Sequence, residues 1–167
     1  MFDNMYRIET ADSLRKPGLG LGLTIYREIV EAAIETPIRG TGRILVMDDE
    51  DIIREMLYNM LNLAGYEVEL TADGAEAIER YKKAKESGQP FDAVIMDLTI
   101  PGVMGGKEAI KELIKIDPKV KVIISSGYAT DPVMSEYNKY GFSAVVTKPY
   151  SVAHLEKTLH SLLGKTK

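Results

Sequence analysis

Four short stretches hold the residue types that could do chemistry together: Asp48-Asp49-Glu50-Asp51, Asp97, Ser125-Ser126-Gly127 and Thr147-Lys148-Pro149. Carboxylates gathered within a few ångströms repel one another unless a cation sits between them. An all-oxygen set of this kind suits a hard divalent ion such as Mg²⁺, which keeps some of its waters and also binds phosphoryl oxygens. A lysine adds a point positive charge, and a hydroxyl donates a hydrogen bond. Together such groups can neutralise the charge on a transferring phosphoryl group. A carboxylate can also be the nucleophile itself and form an acyl phosphate.

That chemistry needs the four stretches in one place, and the surrounding sequence says how they would meet. Arg43–Met47 is a short apolar run, as expected of a strand buried on both faces. Ile52, Ile53, Met56, Leu57, Met60 and Leu61 then recur at helical spacing, with Gly65 just past the helix end. Tyr66–Leu70 alternates and predicts a second strand. Asp73 and Glu76 form a capping-box pattern that opens a helix running to about Lys85. Phe91–Met96 predicts the third strand, and a helix over 107–116 is stopped by Asp117-Pro118. Val120–Ser125 predicts the fourth strand. Asp131-Pro132 places a cap residue and then proline at a first helical position. Ser143–Thr147 predicts the fifth strand, and Ser151 caps a last helix carrying Val152, Leu155, Leu159 and Leu162.

Strict alternation of five strands and five helices predicts an α/β fold, a five-stranded parallel sheet doubly wound as (βα)5. Ligands of such sheets bind at the carboxyl ends of the strands. The acids, the two serines and the lysine all fall at predicted strand ends, on one rim.

Bulk composition narrows the class. The chain has 167 residues, 45% hydrophobic and 28% charged, the balance of a globular protein. A net charge of −4 argues against a nucleic-acid surface, which must meet phosphates with Lys and Arg. No cysteine is present, so disulfides and thiolate metal sites are excluded. No apolar run reaches spanning length and no basic-then-apolar leader opens the chain, so a cytoplasmic location without membrane contact is expected.

The residues around the rim resemble a known family. Ile44–Glu50, Val94–Gly102, Ile123–Gly127 and Thr147-Lys148-Pro149 are similar, in order, to the four motifs of the receiver domain of two-component response regulators and hybrid histidine kinases. Leu98-Thr99-Ile100-Pro101 followed by Gly105-Gly106 looks most like receivers attached to hybrid sensor kinases. The resemblance covers residues 42–165 and implies the flavodoxin-like receiver fold. It implies that Asp97 is the phosphoacceptor, that Ser126 is the switch hydroxyl and that Lys148 pairs with Asp97 and later with the phosphate. It implies Mg²⁺ held by Asp49, by Asp48 directly or through water, by Asp97 and by the backbone carbonyl of Thr99. The Lys148–Pro149 peptide is expected to be cis. The implied partners are a sensor histidine kinase or histidine phosphotransfer protein as donor and a downstream protein as readout, with a homodimer left open. The sequence departs from the family at Val145, where an aromatic rotamer switch is common; Tyr128 or Tyr150 would be surface reporters in its place.

Plainer readings apply to several residues. Glu50 and Asp51 are expected to be acids at a helix start, favoured there by the dipole. Met47, Met56, Met60 and Met96 are expected in the core. His154 and His160 lie six apart on one helix, do not share a face and are expected at the surface. A phosphatase of the haloacid-dehalogenase kind needs a second aspartate two residues after the nucleophile, and Thr99 occupies that place.

Residues 1–41 read as a separate N-terminal extension that ends in the linker Thr36–Gly42. Lys16–Leu23 is glycine-rich and precedes an apolar helical stripe of Ile25, Tyr26, Ile29, Val30, Ala33 and Ile34. The loop resembles the second glycine box of the histidine-kinase ATP-binding domain. The Asn-bearing helix, the first acidic glycine box and the phosphorylatable histidine helix of that domain have no counterpart here. The extension is therefore expected to be a remnant, with an ATP-binding kinase fragment as the alternative.

Overall fold

The computed structural model describes residues 40–127 and 131–164. The glycine-rich loop, the apolar stripe at 25–34 and Tyr128 lie outside the described residues. Five parallel strands form one sheet in the order β2-β1-β3-β4-β5: β1 Arg43–Met47, β2 Glu67–Thr71, β3 Ala93–Asp97, β4 Val122–Ser126 and β5 Ala144–Thr147. Between and after them come α1 Asp51–Leu63, α2 Gly74–Glu86, α3 Gly106–Ile116, the short α4 Pro132–Ser135 and α5 Val152–Leu163.

The central strands are apolar on both sides because both sides are covered. Ile44, Val46, Ile95 and Ile123 pack with Leu57 and Leu61 of α1 and Leu155 and Leu159 of α5. Leu45, Met47, Val94, Met96, Val122 and Ile124 pack on the opposite face with Ala77 and Tyr81 of α2, Ile110 and Leu113 of α3 and Val133 of α4. Apolar side chains consume both faces of β1, β3 and β4, so the polar residues of these strands are left at or next to the strand ends.

Local signals acted mostly as expected, with instructive shifts. Asp73 caps α2 by accepting from Glu76 N at 2.9 Å, but the Glu76 carboxylate returns to Ala72 N and not to Asp73 N. Strand β3 starts at Ala93, two residues later than expected. Asp92 is held off the ladder start, its N–H bonded to Arg43 O and its carboxylate accepting from Arg43 N. Phe91 is instead buried under the Arg43 guanidinium. Ile52 does not belong to the buried stripe of α1; it is 79% exposed on the first turn. The helix opened by Asp131 and Pro132 lasts only to Ser135. The chain then tightens into a 3₁₀ turn at Tyr137–Tyr140, which Gly141 ends at φ +92°.

The start of α3 is the tightest point. A Cβ on Gly106 would lie 2.6 Å from the carbonyl oxygen of Asp97 and 2.9 Å from Ile124 Cδ1. One on Gly105 would lie 2.8 Å from Leu98 O. Only hydrogen at these positions lets the helix sit directly behind the Asp97 loop. Gly106→Ala gains at most about 1 kcal/mol of helix propensity, whereas backbone overpacking costs about 1–3 kcal/mol. The expected outcome is net destabilisation, read as a lower urea midpoint with an unchanged slope.

Candidate functional site

Strand register builds the site. Met47 of β1 is level with Met96 of β3, so Asp48 and Asp97 leave adjacent strands side by side. Asp97 stands opposite Ser125 on β4, and Ser126 opposite Thr147 on β5. Lys148 then follows immediately, its N–H bonded to Ser126 O at 3.0 Å.

The side chains converge. One oxygen from each of Asp48, Asp49 and Asp97 lies within 4.8 Å of the others. Lys148 Nζ donates to Asp48 Oδ2 at 2.7 Å and to Asp97 Oδ2 at 2.8 Å. Asp48 is only 1% exposed and its other oxygen accepts from Glu50 N at 3.0 Å. Asp49, by contrast, is exposed on the rim. Ser126 is buried at the end of β4, and Thr99 is exposed beside Asp97. The donor set fits a hard cation: all oxygen, three carboxylates and a single ammonium among them, with Asp49 open to solvent.

Electrostatics reflects that crowding. Burial pushes the Asp97 carboxyl above the usual aspartate range, against the pull of Lys148 and the Thr99 N–H, and Asp48 adds repulsion. Burial alone would push the Lys148 ammonium down, but hydrogen bonds to Asp48 and Asp97 outweigh it and hold the group above its usual range.

The expected residues Asp48, Asp49, Asp97 and Lys148 are brought together, with Ser126 and Thr99 on the adjoining backbone. The Lys148–Pro149 peptide is cis, as the resemblance implied. Two expectations change. Tyr150 is not a surface reporter: its hydroxyl lies 2.7 Å from Ser125 Oγ, and burial pushes its pKa up to about 12. His160 is not simply at the surface: its Nε2 is buried with no hydrogen-bond partner among the described residues, while His154 is exposed. Val145 is half-buried against the core on the α2–α3 face. Sequence reasoning missed Arg54, which donates to Asp48 O at 2.5 Å and pairs with Asp51. The spacing of Asp51 and Arg54, three apart on α1, was the only signal for it.

Comparison with known proteins places this geometry in a family. Residues 44–160 match the response regulator receiver domain, and the chain belongs to that family. It is similar to the chemotaxis protein CheY of Thermotoga maritima, 37% identical over 72% of this chain and 96% of that protein. It is also similar to the sensor kinase CckA of Brucella abortus, 34% identical over 78% of this chain but only 13% of that kinase. Among solved structures it resembles the receiver domain of the sensor histidine kinase PA1611 from Pseudomonas aeruginosa, which has a magnesium ion in its active-site cleft. The identity there is 25%, with a TM-score of 0.66 over 75% of this chain and all of that domain. The receiver domain of this chain is therefore a signalling module. Among the described residues, no helix is long and apolar enough to cross a membrane.

An acid whose folded pKa lies above its unfolded value carries extra protons in the folded state. It stabilises the fold below the ordinary aspartate range and loses that contribution as pH rises through the raised value. At neutral pH without divalent ions, ionised Asp97 therefore strains the fold. Asp97→Asn is expected to melt at a higher temperature than the parent at pH 7, with the difference shrinking toward pH 4. Thermal melts across that range check it.

Proposed function

We propose that Asp97 is the phosphoacceptor of a two-component phosphorelay. An Asp97 carboxylate oxygen attacks the phosphorus of a partner's phosphohistidine. The P–N bond breaks, the histidine nitrogen keeps the electron pair, and an acyl phosphate remains on Asp97. The observation that carries this reading is the Lys148 ammonium bridging Asp48 and Asp97 within a three-carboxylate rim. Such a lysine is already placed to follow the charge from carboxylate to phosphoryl oxygen.

Mg²⁺ fits the rim: Asp49, Asp97, the Thr99 carbonyl and Asp48 would hold it, and when bound it would neutralise charge on the transferring group. Both Asp48 oxygens already hold Glu50 N and Lys148, which favours a water-bridged role for Asp48. Ser126, buried at the end of β4, supplies a hydroxyl to the new phosphoryl oxygens. Drawing Ser126 and Lys148 inward biases the loops after β3 and β4 and with them the face of α4, β5 and α5, a two-state change driven by charge. The donor is a sensor histidine kinase or histidine phosphotransfer protein, and a downstream protein reads the altered face in the cytoplasm. Residues 1–41 stand as an extension outside the receiver unit of 42–165. The family match covers the receiver and lends no support to an ATP-binding kinase fragment.

Incubation with phosphoramidate and Mg²⁺ should label the chain on Asp97, located by peptide mapping, and Asp97→Asn should abolish the label. Undiminished labelling of that variant would refute the assignment. Asp49→Ala should weaken Mg²⁺ affinity by roughly tenfold or more, and an unchanged titration would remove Asp49 from the ligand set.

A further inference from the structure

Ser125 and Tyr150 form a hydroxyl pair that the chemistry above does not use. Their oxygens lie 2.7 Å apart. Ser125 is fully buried on β4, stands level with Asp97 in the sheet, and accepts Leu98 N at 2.8 Å through its carbonyl. Tyr150 follows Lys148 by two residues and precedes the start of α5 at Val152. The hydroxyl pair thus ties the β5–α5 loop to the strand beside the phosphoacceptor. Pro149, between Lys148 and Tyr150, has no N–H with which to add a backbone tie. The Tyr150 ring packs against the core beneath α1 and α5, so phenylalanine would fill the same space without the tie.

We propose that Tyr150 is a positioning residue for phosphoryl transfer: by bonding Ser125, its hydroxyl holds the β5–α5 loop so that Lys148 Nζ stays aimed between Asp48 and Asp97. The inference rests on the aspartyl-phosphate reading. Lysine is a compact charge on a flexible four-carbon stem, so its aim depends on where its backbone is pinned. Small misplacement of such a group weakens transition-state stabilisation more than it disturbs the fold. Tyr150 sits on the lysine's loop and not on the loops of Asp48, Asp49 or Thr99. Loss of its hydroxyl should therefore be felt at the phosphoryl group and not at the cation.

The test compares Tyr150→Phe, Ser125→Ala and the double variant with the unsubstituted chain, using phosphoramidate and Mg²⁺. Each single change should slow acyl-phosphate formation roughly three- to tenfold. The double variant should be no slower than the slower single one, because both remove the same bond. Mg²⁺ affinity should not weaken in Tyr150→Phe, a separation that general loosening of the sheet would not produce. An unchanged rate in Tyr150→Phe, additive losses, or a parallel loss of Mg²⁺ affinity would overturn the inference. If Ser125→Ala fails to fold, the rate and Mg²⁺ affinity of Tyr150→Phe decide alone. Failure of the unsubstituted chain to label at all would bring down the phosphoacceptor reading and this inference with it. Normal labelling with an indifferent Tyr150→Phe would bring down the inference only.

Discussion

Three carboxylates share a space in which their oxygens lie within 4.8 Å, and one lysine stands among them. Like charges at that spacing cannot all be comfortable without a cation. The fold accepts the cost at a single rim and keeps it off both faces of the sheet. Asp48 is almost wholly buried and survives there because its oxygens hold a backbone N–H and the Lys148 ammonium. Asp97 is held above its ordinary range by burial despite the same lysine. Charge at this rim is thus balanced among the three carboxylates and the Lys148 ammonium, so a change in charge at Asp97 bears directly on Lys148 and Asp48.

The rest of the molecule serves that rim. Order β2-β1-β3-β4-β5 sets β1 beside β3, which makes Asp48 and Asp97 neighbours although 49 positions apart. Apolar residues fill both faces of the central strands, so the charge of Asp97 emerges only where β3 ends and that of Asp48 just past β1. Gly105 and Gly106 bring α3 against the backbone of the Asp97 loop at distances no side chain would allow. Behind Lys148, the Ser125–Tyr150 pair fastens the loop that carries it. Each device limits how far a catalytic atom can wander, and positioning supplies much of what phosphoryl transfer requires.

The receiver family commonly relays its switch through an aromatic on the fifth strand, and Val145 stands there in this chain, half-buried against the core. A valine has one small stiff side chain and no ring to swing. Tyr150, expected from the sequence as a surface reporter, has its hydroxyl engaged with Ser125 inside the domain instead.

Much was legible from residue order alone. The alternation of apolar runs and helical stripes announced a parallel sheet, because strands buried on both faces and amphipathic helices leave different periods in a sequence. Placing Asp48, Asp49, Asp97, Ser126 and Lys148 at strand ends followed from that, and the convergence of Asp48, Asp49, Asp97 and Lys148 needed only the rule that such sheets bind ligands at their carboxyl edge. Cap residues Asp73, Asp131 and Ser151 also did locally what their types dictate. Tertiary structure alone decided contacts between elements far apart in the chain. It settled that Tyr150 meets Ser125, that Arg54 meets the Asp48 carbonyl, that Ile52 faces solvent and that His160 turns a nitrogen inward with no hydrogen-bond partner among the described residues. The reason is physical: propensity and periodicity are local properties of a segment. The partner of a hydroxyl, a guanidinium or an imidazole depends on which other segment packs beside it.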